Sequence, residues 1–458
     1  MSKAKTGVSY KELIRFFLPL AITPFIIGVV HNVANGAIAR LPAPELSLAV
    51  FTVIKGFSNI VRAPIFMGKQ AIISLVNDEA SCKLVLKMLW IVGGIAILIL
   101  FLMGYTPLGG IVLRNIIGLK EGQQITYGYY ALRIVFLLPL VELVRNNNQG
   151  LVIALKKTKF ILPGILVRLI FVLTFMSWVV SSQSMPGIVA GSLAWVGGIG
   201  LEGLFIFIVI RYIYNSPGNA AEKISHQPQK ENLTPLTFFK FLSPLALMMV
   251  LARVVEPIIQ SGIARGDSPT RSLAAFGVAW TILFLVAGPL MHLNQGSLVY
   301  VKKVGDKNWK KFFRFSYVFS ILTAFVIGLF AITPIGYWVI NAVLAVSRPV
   351  TILAQKTLMV LIFYPLIAVI REVYWGILMN QKKTNQIGIA KTINIIVVSI
   401  SLIVGIFTLQ IDAAIIGAAA FLLGEGFEAW YVRSSCLNNK DLNNKDFPSD
   451  NFNSTNLL

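Results

Sequence analysis

Three cationic side chains recur at intervals of seven within the apolar stretch 46–76: Lys55, Arg62 and Lys69. Asn59 lies one helical turn after Lys55. Because seven residues are nearly two helical turns, a helix would place these four side chains in one polar stripe. A charge at the centre of a bilayer costs roughly 3 kcal/mol or more and normally faces water or the bundle interior. The stripe is therefore predicted to bind an anion. Two alternatives stay open: Arg62 pairs with an acid on a neighbouring helix, and Lys69 extends to the cytoplasmic interface.

Further polar side chains in apolar stretches are candidates for the same site or for its control. Substrate contacts are predicted for Asn32, Asn35, Arg253, Gln260, Asn294 and Gln295. Gating or ion coupling is predicted for Glu256, Arg145, Arg371, Glu202, Glu428 and His292. Structural roles remain open as well: an Arg253–Glu256 ion pair on one helical face, interfacial anchoring by Arg145 and Arg371, neutralisation of arginines by Glu202 and Glu428, and simple packing of His292.

The elements that must hold these groups are repeated. Shifted by about 225 residues, the first half of the chain aligns with the second through six apolar segments, and 13–40 matches 238–265 without a gap. A duplicated six-helix unit gives two lobes of one orientation, related by a pseudo-two-fold axis along the membrane normal, with a substrate site between them. Matched residues include Pro19 and Pro244, Pro64 and Pro289, Pro139 and Pro365, Gly150 and Gly376. The prolines predict bends that help the lobes move, or else a shared packing geometry.

The polar stripe is not repeated. In the second half, its positions carry Trp280, Phe284, Ala287 and Asn294. Architecture alone does not require this asymmetry, so it favours a functional role for the stripe.

Composition predicts a polytopic membrane protein. The 458 residues are 56% hydrophobic, and the mean hydropathy is +0.76. Twelve apolar stretches are long enough to cross a hydrocarbon core of roughly 30 Å as helices: 13–37, 46–76, 86–106, 127–153, 160–180, 187–213, 237–264, 271–302, 313–335, 352–380, 386–408 and 411–433. We expect an all-α fold with lobes at 1–213 and 236–435, a cytoplasmic linker at 214–235 and a disordered tail at 436–458. The first span is expected to be retained.

The distribution of charge excludes a nucleic-acid partner, although the net charge is +21. Twenty-five of the 40 Lys and Arg residues lie in alternate loops and only six lie in the opposite loops. The positive-inside rule therefore predicts a cell-membrane protein with both termini in the cytoplasm. Three histidines and two cysteines offer no metal-site spacing. With no phosphate-binding loop or nucleophile constellation either, we expect no enzyme activity and no cofactor.

Several motifs resemble known families. The six-plus-six repeat, the Pro-Leu pairs in spans one and seven, and a glycine followed by Lys-Lys-Thr after spans four and ten are similar to the multidrug/oligosaccharidyl-lipid/polysaccharide exporter superfamily. LIRFFLPLAIT from Leu13, ARVVEPI around Arg253 and WGILMNQKKT from Trp375 are similar to the progressive ankylosis protein family. Glu256 departs from that pattern. The resemblance implies a multidrug and toxin extrusion-like fold and export of pyrophosphate, nucleoside triphosphate or citrate-like polycarboxylates.

The predicted function is that of a secondary transporter. The predicted spans contain nine cations and seven acids, an excess that favours a small polyanionic substrate moved by alternating access. The expected partners are that anion, the lipid bilayer and a coupling proton or sodium ion, and the chain is expected to be a monomer. Two alternatives stay open: a flippase for an anionic lipid-linked sugar, and a cation-coupled multidrug exporter.

Overall fold

The computed structural model describes residues 7–116, 122–224, 233–343 and 347–437. Within these ranges every regular element is helical. The first half contains α1 (Tyr10–Ile38), α2 (Pro44–Val61), α3 (Ala63–Phe66), α4 (Gly68–Leu75), α5 (Glu79–Tyr105), α6 (Pro107–Ile111), α7 (Gln123–Val135), α8 (Leu138–Ala154), α9 (Ile161–Ser182), α10 (Gly187–Tyr214) and α11 (Pro217–Glu222). The second contains α12 (Pro235–Ile263), α13 (Pro269–Ala287), α14 (Leu293–Tyr300), α15 (Trp309–Ile332), α16 (Pro334–Trp338), α17 (Arg348–Leu361), α18 (Tyr364–Asn380), α19 (Thr384–Thr408) and α20 (Ala413–Leu437).

The predicted spans correspond to these helices. Among the described residues, ten helical segments are long and apolar enough to cross a membrane, and the α17–α18 pair, bent by 44°, makes an eleventh. The predicted span 46–76 is instead α2, α3 and α4 in succession, divided at Arg62 and Met67. Its three cations distinguish it from the other spans. Irregular turns are also repeated, since π-helical segments follow α6 at Val112–Ile116 and α16 at Val339–Val343.

Two of the three matched proline pairs lie where helices are interrupted. Pro64 is the second residue of α3, and Pro289 lies in the 3-10 turn Gly288–His292 between α13 and α14. Pro139 and Pro365 lie in the first turns of α8 and α18, just after breaks. A proline ring removes a backbone donor and clashes with the preceding turn, which explains the interruptions. The third pair differs, because α1 and α12 continue through Pro19 and Pro244.

The helix starts follow ordinary capping chemistry. Asp78 caps α5 in a reciprocal capping box with Ser81. Hydrogen bonds from Ser81 hold the pKa of Asp78 below its ordinary value. Ser9, Ser216 and Thr234 cap α1, α11 and α12 with their side chains. These caps fix the ends of the helices that lead into the two lobes.

The segment between the lobes is only partly described. Its first part forms α11, whose Ala220 and Ala221 are buried and whose Pro217 carbonyl accepts a weak hydrogen bond from Cys82. Residues 225–232 and the predicted tail from 438 onward lie outside the described residues, and Cys436 still belongs to α20.

The lobes meet through reciprocal contacts at their broken helices. α12 packs against α3, and α1 packs against the 3-10 turn Gly288–His292. The other contacts between the lobes lie toward what we call the terminal face, the end of the bundle at which α1, α5, α12 and α15 begin. They include hydrogen bonds from Val8 N to Asn308 (2.9 Å) and from Ser74 to the Met379 carbonyl (2.8 Å). Edge-to-face ring contacts join Phe16 to Tyr300 and Phe17 to Phe315 and Phe319. Within the described ranges, the lobes are thus joined at the terminal half of the bundle.

Matched glycines allow one close helix contact in each lobe. A Cβ added at Gly150 of α8 would lie 2.9 Å from Cβ of Ile72 and 3.3 Å from the Lys69 carbonyl oxygen of α4. In the other lobe, a Cβ at Gly376 of α18 would overlap Ser297 of α14. Small residues let membrane helices approach in this way, because lipid provides no hydrophobic drive for their association.

Replacing either glycine by alanine should therefore destabilise the protein. We expect Gly150→Ala and Gly376→Ala each to lower the free energy of unfolding by about 1–3 kcal/mol through overpacking. Thermal unfolding of the purified protein measures this. The matched control is Gly94→Ala in α5, where an added Cβ meets nothing within 4 Å. Unfolding temperatures equal to that of the control would contradict the close-contact assignment.

Candidate functional site

A cavity of about 540 Å³ lies between the lobes. α3, α4 and α8 line it from one side, and α12, α13, α14, α18, α19 and α20 line it from the other. Its ionisable lining residues are Lys69, Arg145, Arg253, Glu256, His292, Arg371, Glu372, Lys391 and Glu425. Five cations and three carboxylates thus line a space large enough for a small metabolite.

Two of these cations have no acidic partner. Lys69 projects from α4, and within the described residues no carboxylate lies within 4 Å of its Nζ. Arg253 is exposed on α12, and the described chain likewise places no carboxylate within 4 Å of it. Glu256, one turn away, instead accepts a hydrogen bond of 3.0 Å from Gln260. Unpaired cations at membrane depth are costly unless water or an anion compensates them, so both side chains are suited to hold an anionic group.

Arg62 lies behind the cavity wall. Its side chain is fully buried, forms an ion pair with Glu142, and donates to Asn59 Oδ1 at 2.7 Å. The guanidinium also lies 4.9 Å from the Trp195 ring centre and 5.2 Å from that of Phe66. Phe66 itself lines the cavity. Arg62 therefore supports the wall by pairing with an acid on α8, the arrangement that the sequence left open.

The remaining cation of the stripe contacts a different helix. Lys55 Nζ lies 3.3 Å from His31 Nδ1 on α1 and 5.8 Å from the Trp195 ring centre. Neither Lys55 nor Asn59 lines the central cavity. The predicted stripe is thus divided by the breaks at Arg62 and Met67, and only Lys69 reaches the cavity.

The C-terminal lobe encloses a buried ionic network. Arg371 pairs with Glu372 at 2.8 Å and also with Glu425. Lys391 pairs with Glu428 at 2.8 Å and with Glu425 at 3.5 Å. Three carboxylates therefore share two cations, which leaves a formal negative charge. Amide donors complete the network: Asn294 to Glu372 at 2.7 Å and Asn394 to Glu425 at 3.0 Å.

The N-terminal lobe has a simpler network at the matched place. Glu202 lies 3.7 Å from Arg145 and 3.5 Å from Arg168, and it accepts a hydrogen bond of 2.8 Å from Gln149. Here one carboxylate serves two arginines, so the formal charge is positive. Together with Lys55, Lys69 and the neutral Arg62–Glu142 pair, this gives the interior of the N-terminal lobe a net positive charge, of which Lys69 and Arg145 reach the cavity.

Aromatic rings form the opposite wall. Trp280, Phe284, Tyr364 and Phe421 all line the cavity, and their ring centres lie 4.7 to 6.3 Å apart. Trp280 and Phe284 align with Lys55 and Asn59 of the first half. The same backbone positions therefore supply charge in one lobe and apolar surface in the other.

The structure brings together half of the predicted site residues. Those that line the cavity are Lys69, Arg253, Asn294, Gln295, Glu256, Arg145, Arg371 and His292. Those that do not are Lys55, Asn59, Arg62, Asn32, Asn35, Gln260, Glu202 and Glu428. Asn32 lines a second cavity of about 310 Å³ between α1 and α9.

Several lining residues were missed from the sequence. Lys391 is among the 25 basic residues assigned to loops from the sequence, although the predicted span 386–408 includes it. That loop assignment is wrong, because Lys391 is buried inside α19 and pairs with Glu428. Glu372 and Glu425 were passed over as site residues, although their position beside Arg371 and one turn before Glu428 was an available signal. Within the described residues, no three His, Cys, Asp or Glu side chains are grouped to hold a metal ion.

Buried polar atoms around the cavity lack protein partners. They include Gln70 Oε1, His292 Nδ1, Asn294 Oδ1, Gln295 Oε1 and Trp375 Nε1. Because an unsatisfied buried polar atom costs about 1–3 kcal/mol, this set favours a hydrated polar ligand over an apolar one.

Comparisons with known proteins give a family and a fold. A family model described as "Progressive ankylosis protein (ANKH)" matches residues 1–184 and 225–417. Among solved structures, a MATE mutant has a TM-score of 0.74 at 12% identity, covering 93% of this chain and 96% of that one. The bent form of the Vibrio cholerae MATE transporter VcmN has a TM-score of 0.71 at 16% identity, covering 94% and 98%. A transporter of the MOP superfamily from Pyrococcus furiosus has a TM-score of 0.69 at 10% identity, covering 93% and 96%. The predicted fold class of two six-helix lobes is confirmed.

The Arg62–Glu142 pair gives a test of the N-terminal wall. Glu142→Gln would leave a fully buried guanidinium without its carboxylate, and breaking a buried pair in this way costs about 3–5 kcal/mol of stability. We expect a lower thermal unfolding midpoint for Glu142→Gln, and partial recovery in Arg62→Met/Glu142→Leu, where both charges are gone. Glu45→Gln, at an exposed position in α2, is the control. If Glu142→Gln unfolds at the same temperature as this control, the Arg62–Glu142 pair contributes little to stability.

Proposed function

The chain belongs to the progressive ankylosis protein family, and from this premise we propose that it is a secondary transporter exporting small organic or inorganic polyanions by alternating access. Citrate-like carboxylates, pyrophosphate and nucleotides are the candidate substrates. The family match and the MATE-type fold support transport as the general activity. The choice of a polyanion depends on the charges of the central cavity.

The observation that carries the proposal is the pair of unpartnered cations, Lys69 and Arg253. They belong to different lobes yet line one cavity, so an anion with two or more charged groups would bridge them. Arg145 extends the same wall; it lies 3.7 Å from Glu202 and donates two hydrogen bonds, of 3.1 and 3.3 Å, to Asn146 Oδ1. Guanidinium groups bind carboxylate and phosphate with paired hydrogen bonds. A bridging substrate would neutralise both lobes at once and favour their movement as a unit.

Pocket polarity varies within this fold. The Pyrococcus furiosus transporter is described as having a binding pocket of reversed polarity that suggests a different function. An anionic substrate for the present chain is consistent with such variation, because the cationic residues that line its cavity outnumber the acidic ones.

The coupling ion is proposed to act in the C-terminal lobe. The network of Arg371, Glu372, Lys391, Glu425 and Glu428 has one carboxylate more than its cations can neutralise. A buried excess charge is unfavourable in a low-dielectric interior, so a proton or sodium ion bound there would stabilise it. Glu425 is the best placed, because it contacts both cations and lines the cavity.

The distribution of basic residues indicates the orientation of the protein in the membrane. Basic residues are concentrated at the terminal face, so we propose that both termini are cytoplasmic and that the protein lies in the cell membrane. The excess of basic residues on this side remains without Lys391, which lies inside α19. We also propose that the lobes lie at 1–213 and 236–435, the linker at 214–235 and the tail at 436–458, and that the protein is a monomer.

A cation-coupled multidrug exporter is the second candidate, and the aromatic wall favours it. Trp280, Phe284, Tyr364 and Phe421 beside Glu256 resemble a surface that could hold an organic cation. The flippase alternative has no comparable support among the described residues. A substrate panel therefore distinguishes the candidates.

We expect liposomes containing the protein to transport labelled citrate, pyrophosphate or ATP in preference to an organic cation. Lys69→Gln and Arg253→Gln should each reduce anion flux roughly tenfold or more, since a hydrogen bond to a charged group is worth about 1.5–3 kcal/mol. Lys69→Arg should retain most of the flux, because the charge stays in place.

Arg211→Gln, at an exposed position in α10, is the matched control for charge removal. Unchanged anion flux in both cavity variants would remove these residues from the substrate site. Preferential transport of the organic cation would instead select the second candidate.

The coupling proposal predicts a separable defect. Glu425→Gln should abolish the dependence of flux on an imposed proton or sodium gradient, while anion exchange at equal ion concentrations continues. Glu222→Gln, on the exposed surface of α11, is the control. Gradient-driven flux that persists in Glu425→Gln would place coupling elsewhere.

A further inference from the structure

A group of cations marks the line where the two lobes meet at the terminal face. We call it the basic seam: Lys11 and Arg15 of α1, and Lys307, Lys311 and Arg314 at the start of α15. Lys11, Arg15, Lys307 and Arg314 are exposed, and Lys311 is half-buried. Among the described residues, no carboxylate lies within 4 Å of any of the five. The nearby acids are already engaged, since Glu12 pairs with Lys156 at 3.3 Å and Asp306 accepts from Lys302 N at 3.2 Å.

Stabilisation of α15 does not explain these charges. The first turns of a helix carry a partial positive charge, so cations there are unfavourable. The first turn of α15 contains no acid, and the side chain of its N-cap residue, Asn308, makes no capping hydrogen bond. The oxygen of Asn308 instead accepts from Val8 N, across the seam. The seam cations thus accumulate where the helix itself disfavours them.

The seam lies directly above a lipid-facing apolar surface. On α1, exposed Ile14 and Leu18 follow Lys11 and Arg15 within two helical turns, with 52% and 55% of their surface accessible. On α15, Arg314 is followed by a similar exposed apolar face: Tyr317, Val318, Ile321 and Leu322. Cations at the edge of such a surface lie at the depth of phospholipid headgroups, with room for acyl chains alongside.

The basic seam also spans the boundary between the two lobes. Lys311 Nζ lies 5.5 Å from the ring centre of Tyr10, and Asn308 accepts from Val8, so α1 and α15 are connected across the lobe boundary at this point. Deeper, Phe17 packs on Phe315. An anion bound to cations of both helices would strengthen the same contact.

We propose that the basic seam binds the phosphate-bearing headgroup of an anionic phospholipid of the adjacent leaflet and thereby stabilises the conformation in which the lobes are joined at the terminal face. Polybasic clusters beside membrane helices attract anionic lipid at about 1 kcal/mol per residue. The binding step is independent of the proposed transport function, and only its consequence for flux depends on alternating access.

Native mass spectrometry of the full-length protein with added phosphatidylinositol 4,5-bisphosphate, phosphatidylserine or phosphatidylcholine tests the binding. The seam variant carries Lys11→Gln, Arg15→Gln, Lys311→Gln and Arg314→Gln. We expect it to bind the anionic lipids at least about tenfold more weakly than the unmodified protein. The control variant removes the same number of charges from exposed positions on the terminal face away from the seam: Lys83→Gln, Lys87→Gln, Lys223→Gln and Lys240→Gln. It should bind within about twofold of the unmodified protein.

Other outcomes overturn the proposal. Equal weakening in both variants would mean that the total charge, and not the seam, attracts lipid. Binding of phosphatidylcholine as tight as that of the anionic lipids would remove the charge requirement. Soluble inositol trisphosphate or inorganic phosphate binding as tightly as the lipid would identify a site for a free anion.

The conformational effect has its own measurement. Val8→Cys/Asn308→Cys places two thiols across the seam, and disulfide formation reports closure there. Phosphatidylinositol 4,5-bisphosphate should raise the cross-linking rate at least about threefold, and the seam substitutions should abolish the increase. A rate that the lipid does not change would refute stabilisation of the joined conformation, whatever the outcome of transport assays.

Discussion

An ionised side chain at membrane depth must be neutralised by a partner or reach a polar space, and this constraint sorts the charges of the whole molecule. Arg62 and Glu142 satisfy it by pairing inside the N-terminal lobe. Lys69 and Arg253 satisfy it only by facing the central cavity. The cavity is therefore the place where these two cations lack acidic partners, and it is there that the proposed anionic substrate would contribute binding energy.

Gene duplication gives both lobes the same backbone, but it does not give them the same surface. Lys55 and Asn59 align with Trp280 and Phe284, so equivalent positions contribute to a charged network in one lobe and to an aromatic wall in the other. The ionic networks have diverged as well. Glu202 pairs with two arginines, whereas the aligned Glu428 belongs to a network with one carboxylate more than its cations. A repeated scaffold thus carries a network with excess positive charge in one lobe and a network with excess negative charge in the other.

The fold was largely predictable because it depends on hydrophobic length and on repetition, both of which are readable along the chain. The direction in which each side chain points from its helix was not predictable. The breaks at Arg62 and Met67 between α2, α3 and α4 rotate the side chains of the stripe away from one another. Pairing was equally hidden, since Glu142 approaches Arg62 from another helix. Lys391 shows the same limitation: only packing of α19 against α20 reveals that it is a buried ion-pair partner.

The positions of the helix breaks connect the cavity to the lobe boundary. α12 packs on α3, and α1 packs on the 3-10 turn Gly288–His292, so each repeat-start helix rests on the interrupted segment of the opposite lobe. Phe66 and His292, from these two segments, also line the cavity. An interrupted helix lacks continuous backbone hydrogen bonds and bends at lower cost than a regular one. A displacement of either segment would therefore displace the opposing helix, whose terminal end contributes to the contact between the lobes.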